Sequence, residues 1–340
     1  MKLRSQFVLS SLFLSTSFFT TNVFATASNP ETVNVYTYDS FTSEWGAGPQ
    51  LKKAFEQSNA QCKVEFMAFG DAGTMFNRLR LEGDKTKADI ALGLDNFNLA
   101  DAHKSGLFQP AKIDASKLDL PTPWTDATFV PYDFGAYAFI YDKNKLTNPP
   151  KSLKELVERQ DLRVIYQDPR TSSVGRGLLV WLNQVYPAGE VINAWQQLAK
   201  HTVTVGKGWS DTYGAFLKGE ADLVLSYSTS PLYHQLFEQK DHYAAAEFSE
   251  GSLQQVEVAG KLASSNKACA DQFLTFLLEP QSQKIIAQAN VMLPVIKEAV
   301  EPHFDAKKQQ AKQAKWIDTS SVTPELVKSW VEIWQKTLTQ

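Results

Sequence analysis

The amino-acid sequence predicts an α/β protein with two lobes and a ligand cleft between them. First, β-forming segments alternate with amphipathic helical segments along most of the 340 residues, which favours doubly wound sheets with parallel cores. Second, several predicted strands end in polar or glycine-containing loops, and open α/β sheets bind ligands beyond the carboxyl ends of their strands. Third, two long β-rich segments are suited to crossing between the lobes.

The first lobe begins with a predicted strand at 33–38, where VNVYTY alternates apolar and polar residues. The alternation continues through a helix, a strand, a helix, a strand and a short helix, at 51–57, 63–68, 75–82, 88–94 and 99–106. Gly106 closes the last of these helices. This order predicts a parallel sheet flanked by helices.

The segment 128–141 differs from the other predicted strands, because it is long and carries Pro131 and Gly135 in its middle. These residues interrupt a ladder where one sheet stops and another begins, so we expect a crossing between lobes here. A return crossing is predicted at 252–263. We therefore assign the lobes to 28–132 with 254–300, and to 133–253 with 301–340.

The second lobe repeats the pattern of the first. We predict a strand, two helices, a strand, a helix and a strand, at 163–167, 178–185, 194–199, 203–205, 212–219 and 222–227. Two tail helices are predicted at 304–314 and 323–335.

The N-terminus has the features of a secretory signal peptide, which we assign to residues 1–27. Lys2 and Arg4 form a basic start, 7–19 is mostly apolar, and small residues at 23–27 offer cleavage sites. The apolar run is too short and too often interrupted for a good membrane span. We therefore expect export and cleavage.

Charge and cysteine content limit the classes of partner. The chain has 34 Lys and Arg against 37 Asp and Glu, a formal net charge of −3, and no basic patch. A nucleic-acid partner is therefore not indicated. The two cysteines, Cys62 and Cys269, could pair in an oxidising compartment, but pairing depends on geometry that the sequence leaves open.

Aromatic residues stand at several predicted strand ends and loops. Aromatic faces hold cations and flat rings. For each ring alone, core packing is at least as good an explanation, whereas the set together favours a ligand site. The residues are Tyr38, Trp45, Trp209, Tyr227 and Tyr233.

Polar residues accompany these rings. The loop 171–177 (TSSVGRG) precedes a helix, where exposed N–H groups and hydroxyls could bind a phosphate or carboxylate, or where Ser and Thr could simply cap the helix. Asp39, Asp71 and Asp95 follow strands and could neutralise a cationic ligand or cap the next helix.

Catalytic and metal motifs are not present in the sequence. We find no Gly-x-Ser-x-Gly elbow, no His-Glu-x-x-His motif, and no Cys and His in a convincing catalytic context. The five histidines are scattered without ligand-like spacing. We therefore expect a binding protein without enzymatic activity, resident metal or cofactor.

Long segments of the chain resemble the periplasmic thiamine-binding proteins, the solute-binding components of thiamine ABC importers. The resemblance covers nearly the whole mature chain and is most specific across 202–234. It is carried by VYTYDSFTSEWGAGP, FNRLRLEG, ADIALGLDN, FVPYDFGAYAFIYDKNKL, RVIYQDPRTSS, TVTVGKGWSDTYGAFLKGEADLVLSYSTSPLYH and YAAAEFSEG.

The resemblance implies a two-lobe, type II-like periplasmic binding protein fold. It implies a monomer in the periplasm that captures thiamine and its phosphate esters, as transported ligands, for an inner-membrane ABC permease. Family ligand contacts correspond to Asp71, Ala72, Ser172, Ser173, Trp209, Tyr227, Ser228, Thr229 and Ser230. Further aromatic positions of the cleft correspond to Tyr38, Trp45 and Tyr233.

The sequence departs from the family pattern at three positions. Ala72 stands where Gly is familiar, and Val291 and Leu293 stand where the family often has Trp and Tyr. One wall of the expected aromatic cage therefore differs.

Three other functions are alternatives to thiamine binding. Ferric-ion binders of related fold often use two adjacent tyrosines, whereas Ser228 follows Tyr227 here. Polyamine binding also uses acids and aromatic rings. A secreted thiamine-degrading enzyme would need a nucleophilic cysteine in the cleft, and neither cysteine is well placed for that.

Overall fold

The computed structural model describes residues 29–338, so the predicted signal peptide lies outside the described part. The strands are β1 (Glu31–Tyr38), β2 (Cys62–Phe69), β3 (Ile90–Asp95), β4 (Phe108–Gln109), β5 (Phe129–Asp142), β6 (Val164–Gln167), β7 (Thr202–Gly206), β8 (Leu223–Tyr227), β9 (Tyr243–Ala245) and β10 (Gln254–Leu262).

The helices flank these strands. They are α1 (Asp39–Thr42), α2 (Ala47–Ser58), α3 (Ala72–Glu82), α4 (Leu99–Ser105), α5 (Leu153–Glu158), α6 (Ser173–Val185), α7 (Val191–Ala199), α8 (Trp209–Leu217), α9 (Ser230–Phe237), α10 (Ala268–Phe276), α11 (Pro280–Ala289), α12 (Pro302–Lys312) and α13 (Pro324–Leu338). Within 29–338, no helix combines the length and apolarity needed to cross a bilayer.

The strands pair in the order β2-β1-β3-β10-β5-β8-β6-β7. At one end β1 runs parallel to β2 and β3, and at the other β6 runs parallel to β7 and β8. The antiparallel strands β10 and β5 join the two parallel blocks. The predicted two-lobe α/β fold is confirmed.

Strand β5 passes directly from one block to the other. Ala136 pairs with β10, and the next residue, Tyr137, pairs with Tyr227 of β8. The β5–β10 register shifts where Asp133 and Pro131 face consecutive residues of β10, which leaves Tyr132 without a directly opposite residue. Such a bulge re-aims a side chain and accommodates a proline, which has no N–H to donate to the ladder.

Each parallel block has its own hydrophobic core. One packs Phe55 and Phe273 between α2, α10 and the β1 side of the sheet, and the other packs Trp181 and Trp195 beneath α6 and α7. Trp334 of α13 belongs to the second core, whereas Phe304 of α12 belongs to the first. The lobe boundaries assigned from the sequence stay a prediction, but Phe304, which that assignment gives to the second lobe, packs in the first core together with Ile296.

Cys62 at the start of β2 and Cys269 in α10 form a disulfide, with their Cα atoms 5.7 Å apart. The pairing that the sequence left open is therefore present. The disulfide lies at the start of β2, whereas Asp71 lies in the loop that follows the end of β2.

Candidate ligand-binding cleft

A cavity of about 290 Å³ lies between the two lobes, at the strand ends where the sequence placed the candidate residues. Its walls come from both lobes and from the segment after α11. The lining includes Tyr38, Trp45, Asp71, Trp209, Tyr213, Tyr227, Glu257 and Met292.

Trp209 opens helix α8 and forms one aromatic wall. Its ring stacks on Tyr213 at 4.9 Å, and Trp45 of the other lobe approaches it at 6.2 Å between ring centroids. The indole N–H donates to Ser226 Oγ over 2.8 Å, which fixes the plane of the ring. One face of Trp209 is thus supported by protein while the residue still lines the cavity.

Tyr227 ends β8 and stacks on Tyr137 of β5 at 5.6 Å. Its hydroxyl donates to Gln255 Oε1 over 2.9 Å. Gly135 makes room beside it, because a Cβ there would lie 2.9 Å from Met292 Cε and 3.5 Å from the Tyr227 ring. The glycine noted in the crossing segment therefore lets the strand pass close to the cavity.

Tyr38 ends β1 and packs against Gly93. Gly93 has φ +109°, and a Cβ there would lie 2.4 Å from the Tyr38 ring, so a side chain is excluded both by conformation and by space. The Tyr38 hydroxyl donates to Glu257 Oε2 over 2.7 Å. The ring is thereby held at the cavity with its hydroxyl directed to a buried carboxylate.

Asp71 joins the two lobes. Its carboxylate accepts from the backbone N–H groups of Ala72 at 2.6 Å, Ser173 at 3.3 Å and Trp209 at 3.1 Å. These donors stand at the starts of α3, α6 and α8, where helix N-termini favour a negative charge. Burial raises the pKa of Asp71 to about 6, although these hydrogen bonds and the Ser172 hydroxyl oppose the rise.

Further contacts close the cleft around Asp71. Ser210 Oγ donates to Asp39 Oδ1 over 2.9 Å, and the Thr74 N–H donates to the carbonyl of Thr171 over 3.1 Å. The two lobes therefore touch directly, and the cavity is enclosed by both.

The floor of the cavity carries Glu257 of β10, with Asp133 of β5 opposite it in register. Tyr132 also donates to Glu257 Oε2, over 2.5 Å, and Asn290 Nδ2 donates to Asp133 Oδ2 over 2.6 Å. Burial is the main cause that raises the pKa of Glu257 to about 7, and it raises the pKa of Asp133 as well, with the Glu257 charge adding to that rise.

The structure brings most of the predicted site residues to this cavity. Those that line it are Tyr38, Trp45, Asp71, Ala72, Ser173, Trp209, Tyr227, Ser230 and Tyr233. Asp39, also noted from the sequence, lines it too, as does Val291. Val291 has φ +56°, which is unusual for a β-branched residue.

Three predicted contacts do not line the cavity. Ser172 is buried and caps α6 by accepting from the Val174 N–H, and Thr229 is buried at the start of α9. Ser228 is half-buried, and its N–H donates to the carbonyl of Ala136. Asp95 is likewise buried away from the cavity and accepts from Asn98 Nδ2.

Several lining residues were missed from the sequence. They are Ser40, Gly70, Val174, Ser210, Tyr213, Leu217, His234, Glu238, Glu257, Ala289, Asn290 and Met292. The sequence could have indicated Glu257, because an acidic residue within the apolar run Val256–Ala259 of a crossing strand is unusual unless it has a function. Whether the other side chains reach the cavity depends on how the helices pack, which the local sequence does not encode. Among residues 29–338, no cluster of His, Cys, Asp and Glu has the makings of a metal site.

Comparisons with known proteins agree on one group. Residues 46–289 match the family model described as bacterial extracellular solute-binding protein. The chain is 62% identical over its full length to the thiamine-binding periplasmic protein of Haemophilus influenzae, all of which is covered. It is 50% identical to that of Escherichia coli, over 91% of this chain and 94% of the relative. A solved periplasmic thiamin binding protein superposes with a TM-score of 0.84 at 47% identity, covering 92% of this chain and 97% of the other.

Proposed function

Because the chain belongs to the periplasmic thiamine-binding proteins of the bacterial extracellular solute-binding family, we propose that it captures thiamine in its interlobe cleft for delivery to an inner-membrane ABC permease. The observation that carries the proposal is the lining of the cavity. It combines aromatic rings from both lobes with buried acids, and within the described residues it includes no Lys or Arg.

This lining matches the chemistry of thiamine, which joins a flat aminopyrimidine to a thiazolium cation. Aromatic faces at Trp209, Tyr227 and Tyr38 are suited to both rings, with about 0.5–2 kcal/mol for each good cation–π contact. Asp71 lines the cavity beside the three backbone N–H groups it accepts from, and we propose that its carboxylate also accepts from the aminopyrimidine amine. Its carboxylate thus serves both closure and the ligand.

The hydroxyethyl arm of thiamine, and any phosphate on it, is proposed to face the start of α6. Ser173 at the start of α6 and Ser230 at the start of α9 both line the cavity, and helix N-termini accommodate anions. Thiamine monophosphate and diphosphate are therefore proposed as further ligands. Ser172 and Thr229 support this end by capping and packing rather than by contact.

The proposal includes no chemistry on thiamine. A thiamine-degrading enzyme of this fold would need a free nucleophilic thiol in the cleft, whereas Cys62 and Cys269 are joined to each other at the far end of β2. A ferric site would need a cluster of ligands, and Tyr227 has Gln255 as its hydroxyl partner. Both features support binding and release of intact thiamine.

Calorimetric titration of the mature protein with thiamine, thiamine monophosphate and thiamine diphosphate tests the proposal. We expect one saturable site, quenching of tryptophan emission, and thiamine recovered intact after long incubation. Failure of thiamine to bind at millimolar concentration would refute it. Thiamine-dependent stimulation of ATP hydrolysis by the permease, reconstituted in vesicles, tests the delivery step.

A further inference from the structure

The floor of the cleft holds two buried carboxyl groups where the two crossing strands meet. Glu257 lines the cavity with 6% of its surface exposed, and Asp133 is fully buried opposite it. Within 29–338, neither carboxyl group has an ion-pair partner, and no Lys or Arg side chain lines the cavity. Two acids in such surroundings need either protons or a cation from outside.

The hydrogen bonds of Glu257 are arranged for its charged form. Oε2 accepts from the hydroxyls of Tyr38 and Tyr132, and Oε1 accepts from Gln255 Nε2 over 3.0 Å. All three partners donate, which an ionised carboxylate satisfies without a proton of its own. Gln255 in turn accepts from Tyr227, so the carboxylate is linked to two rings of the cavity wall.

Acids and phenols face Glu257. They come from β1, the loop before α3, β3, β5 and β8, and they are Tyr38, Asp71, Asp95, Tyr132, Asp133, Tyr137 and Tyr227. Burial and the neighbouring carboxylates together raise the pKa of Glu257 to about 7. In these surroundings the Glu257 carboxyl group keeps its proton to a higher pH than a free glutamate does.

From this arrangement, and on the basis of the proposed function, we infer that Glu257 is the counter-charge of the ligand's fixed cation, and that cation capture displaces a proton from the Glu257–Asp133 pair. A thiazolium nitrogen is quaternary and has no N–H to donate. Recognition of its charge therefore requires π faces and a nearby negative charge. When the cation binds, the carboxyl O–H bond breaks and the proton leaves to solvent. The carboxylate keeps the electron pair beside the cation.

The test is calorimetric titration of thiamine into the wild type and Glu257→Gln between pH 5.5 and 8.5. Two buffers of different ionisation enthalpy, phosphate and Tris, report the protons released. For the wild type we expect net proton release between pH 6 and 7 and an affinity that rises with pH to about 8. For Glu257→Gln we expect at least a tenfold loss of affinity at pH 8, about 1.4 kcal/mol, and a flatter pH profile.

Glu238→Gln is the matched control, because it makes the same chemical change at another acid of the cavity lining. Glu238 is exposed and already paired, with Lys240 at 3.0 Å and His234 at 2.7 Å. We expect a smaller loss of affinity with proton release unchanged. Equal losses in the two variants would overturn the role of Glu257.

Asp133→Asn tests the pair without changing Glu257. It replaces the carboxyl group opposite Glu257 by a neutral amide and keeps an acceptor for Asn290. Because burial and the Glu257 charge raise the pKa of Asp133, Asp133 keeps its proton while Glu257 releases one, so thiamine binding should still release a proton in this variant. If circular dichroism shows that Glu257→Gln does not fold, Asp133→Asn is the variant that tests the proposal.

The outcomes separate the two proposals. No thiamine binding by the wild type refutes the proposed function. Thiamine binding by the wild type, with equal affinity and proton release in Glu257→Gln, overturns the counter-charge alone. Loss of proton release in Asp133→Asn would place the released proton on Asp133 and overturn Glu257 as its source.

Discussion

Replacement of Trp209 by alanine should weaken thiamine binding at least tenfold. The change removes the ring face at the cavity, whose contact with a cationic or flat ring contributes about 0.5–2 kcal/mol. It also removes a ring that stacks on Tyr213 at 4.9 Å, so the remaining wall loses its support. Together these effects amount to about 1.5–3 kcal/mol, or roughly ten- to hundredfold in affinity.

The structure indicates that this loss belongs to the ring and not to closure of the cleft. The contact between Asp71 and residue 209 uses the backbone N–H, which alanine retains. Ser226 Oγ, which accepts from the indole, keeps Ser230 Oγ as a partner at 2.8 Å. Trp209→Ala should therefore fold normally.

Calorimetry with thiamine measures the loss, and Trp209→Phe is the matched variant because it keeps a ring face and removes only the indole N–H. We expect Trp209→Phe to lie between the wild type and Trp209→Ala. The fluorescence quenching caused by thiamine should shrink in both. Affinity of Trp209→Ala within twofold of the wild type would refute the assignment of this ring to the ligand.

Three further predictions concern stability. Burial raises the pKa values of Asp71 to about 6 and Glu257 to about 7, so the folded, ligand-free protein binds more protons than the unfolded chain. Their contribution is complete below pH 4 and is lost as pH rises through 6 to 7. Urea unfolding should therefore show stability falling by about 4 kcal/mol between pH 5 and 8, and saturating thiamine should reduce that fall. Reduction of Cys62–Cys269 should lower stability by about 2–5 kcal/mol without changing the thiamine Kd, and a changed Kd would contradict its separation from the cleft. Val291→Gly removes the backbone strain at φ +56° and should stabilise the fold by about 1 kcal/mol, seen as a higher melting temperature. A lower melting temperature would show that the lost packing of the valine side chain outweighs the strain that is removed.

Sequence patterns predicted those parts of the fold that depend on local periodicity and on turn residues. Strand and helix order followed from alternation, and Pro131 and Gly135 marked the crossing because both residues interrupt a regular ladder. Asp71, Trp209 and Tyr227 reached the cavity because strand ends and helix starts of an α/β sheet face the same side.

Other features depended on distances that the sequence does not fix. Ser172 and Thr229 stand beside true lining residues, yet the helix starts turn their side chains into the protein. Glu257 became a site residue only through the register of β5 and β10, which sets Asp133 opposite it. The pairing of Cys62 with Cys269 required two elements 207 residues apart to meet.

The passage of β5 and β10 between the lobes also has a consequence for how the chain folds. The first lobe needs strands from both ends of the sequence, so that Tyr38 and Glu257, 219 residues apart, meet across it. Contacts of such separation form late, because a long loop must close before any of them contributes. Strands β6, β7 and β8 and helices α6 and α7 of the second core come from one continuous segment and can form earlier, although α13 joins that core only from the end of the chain. During folding this part would present Trp209 and Tyr227 before the opposite wall exists, so these aromatic rings stay exposed until β10 has paired.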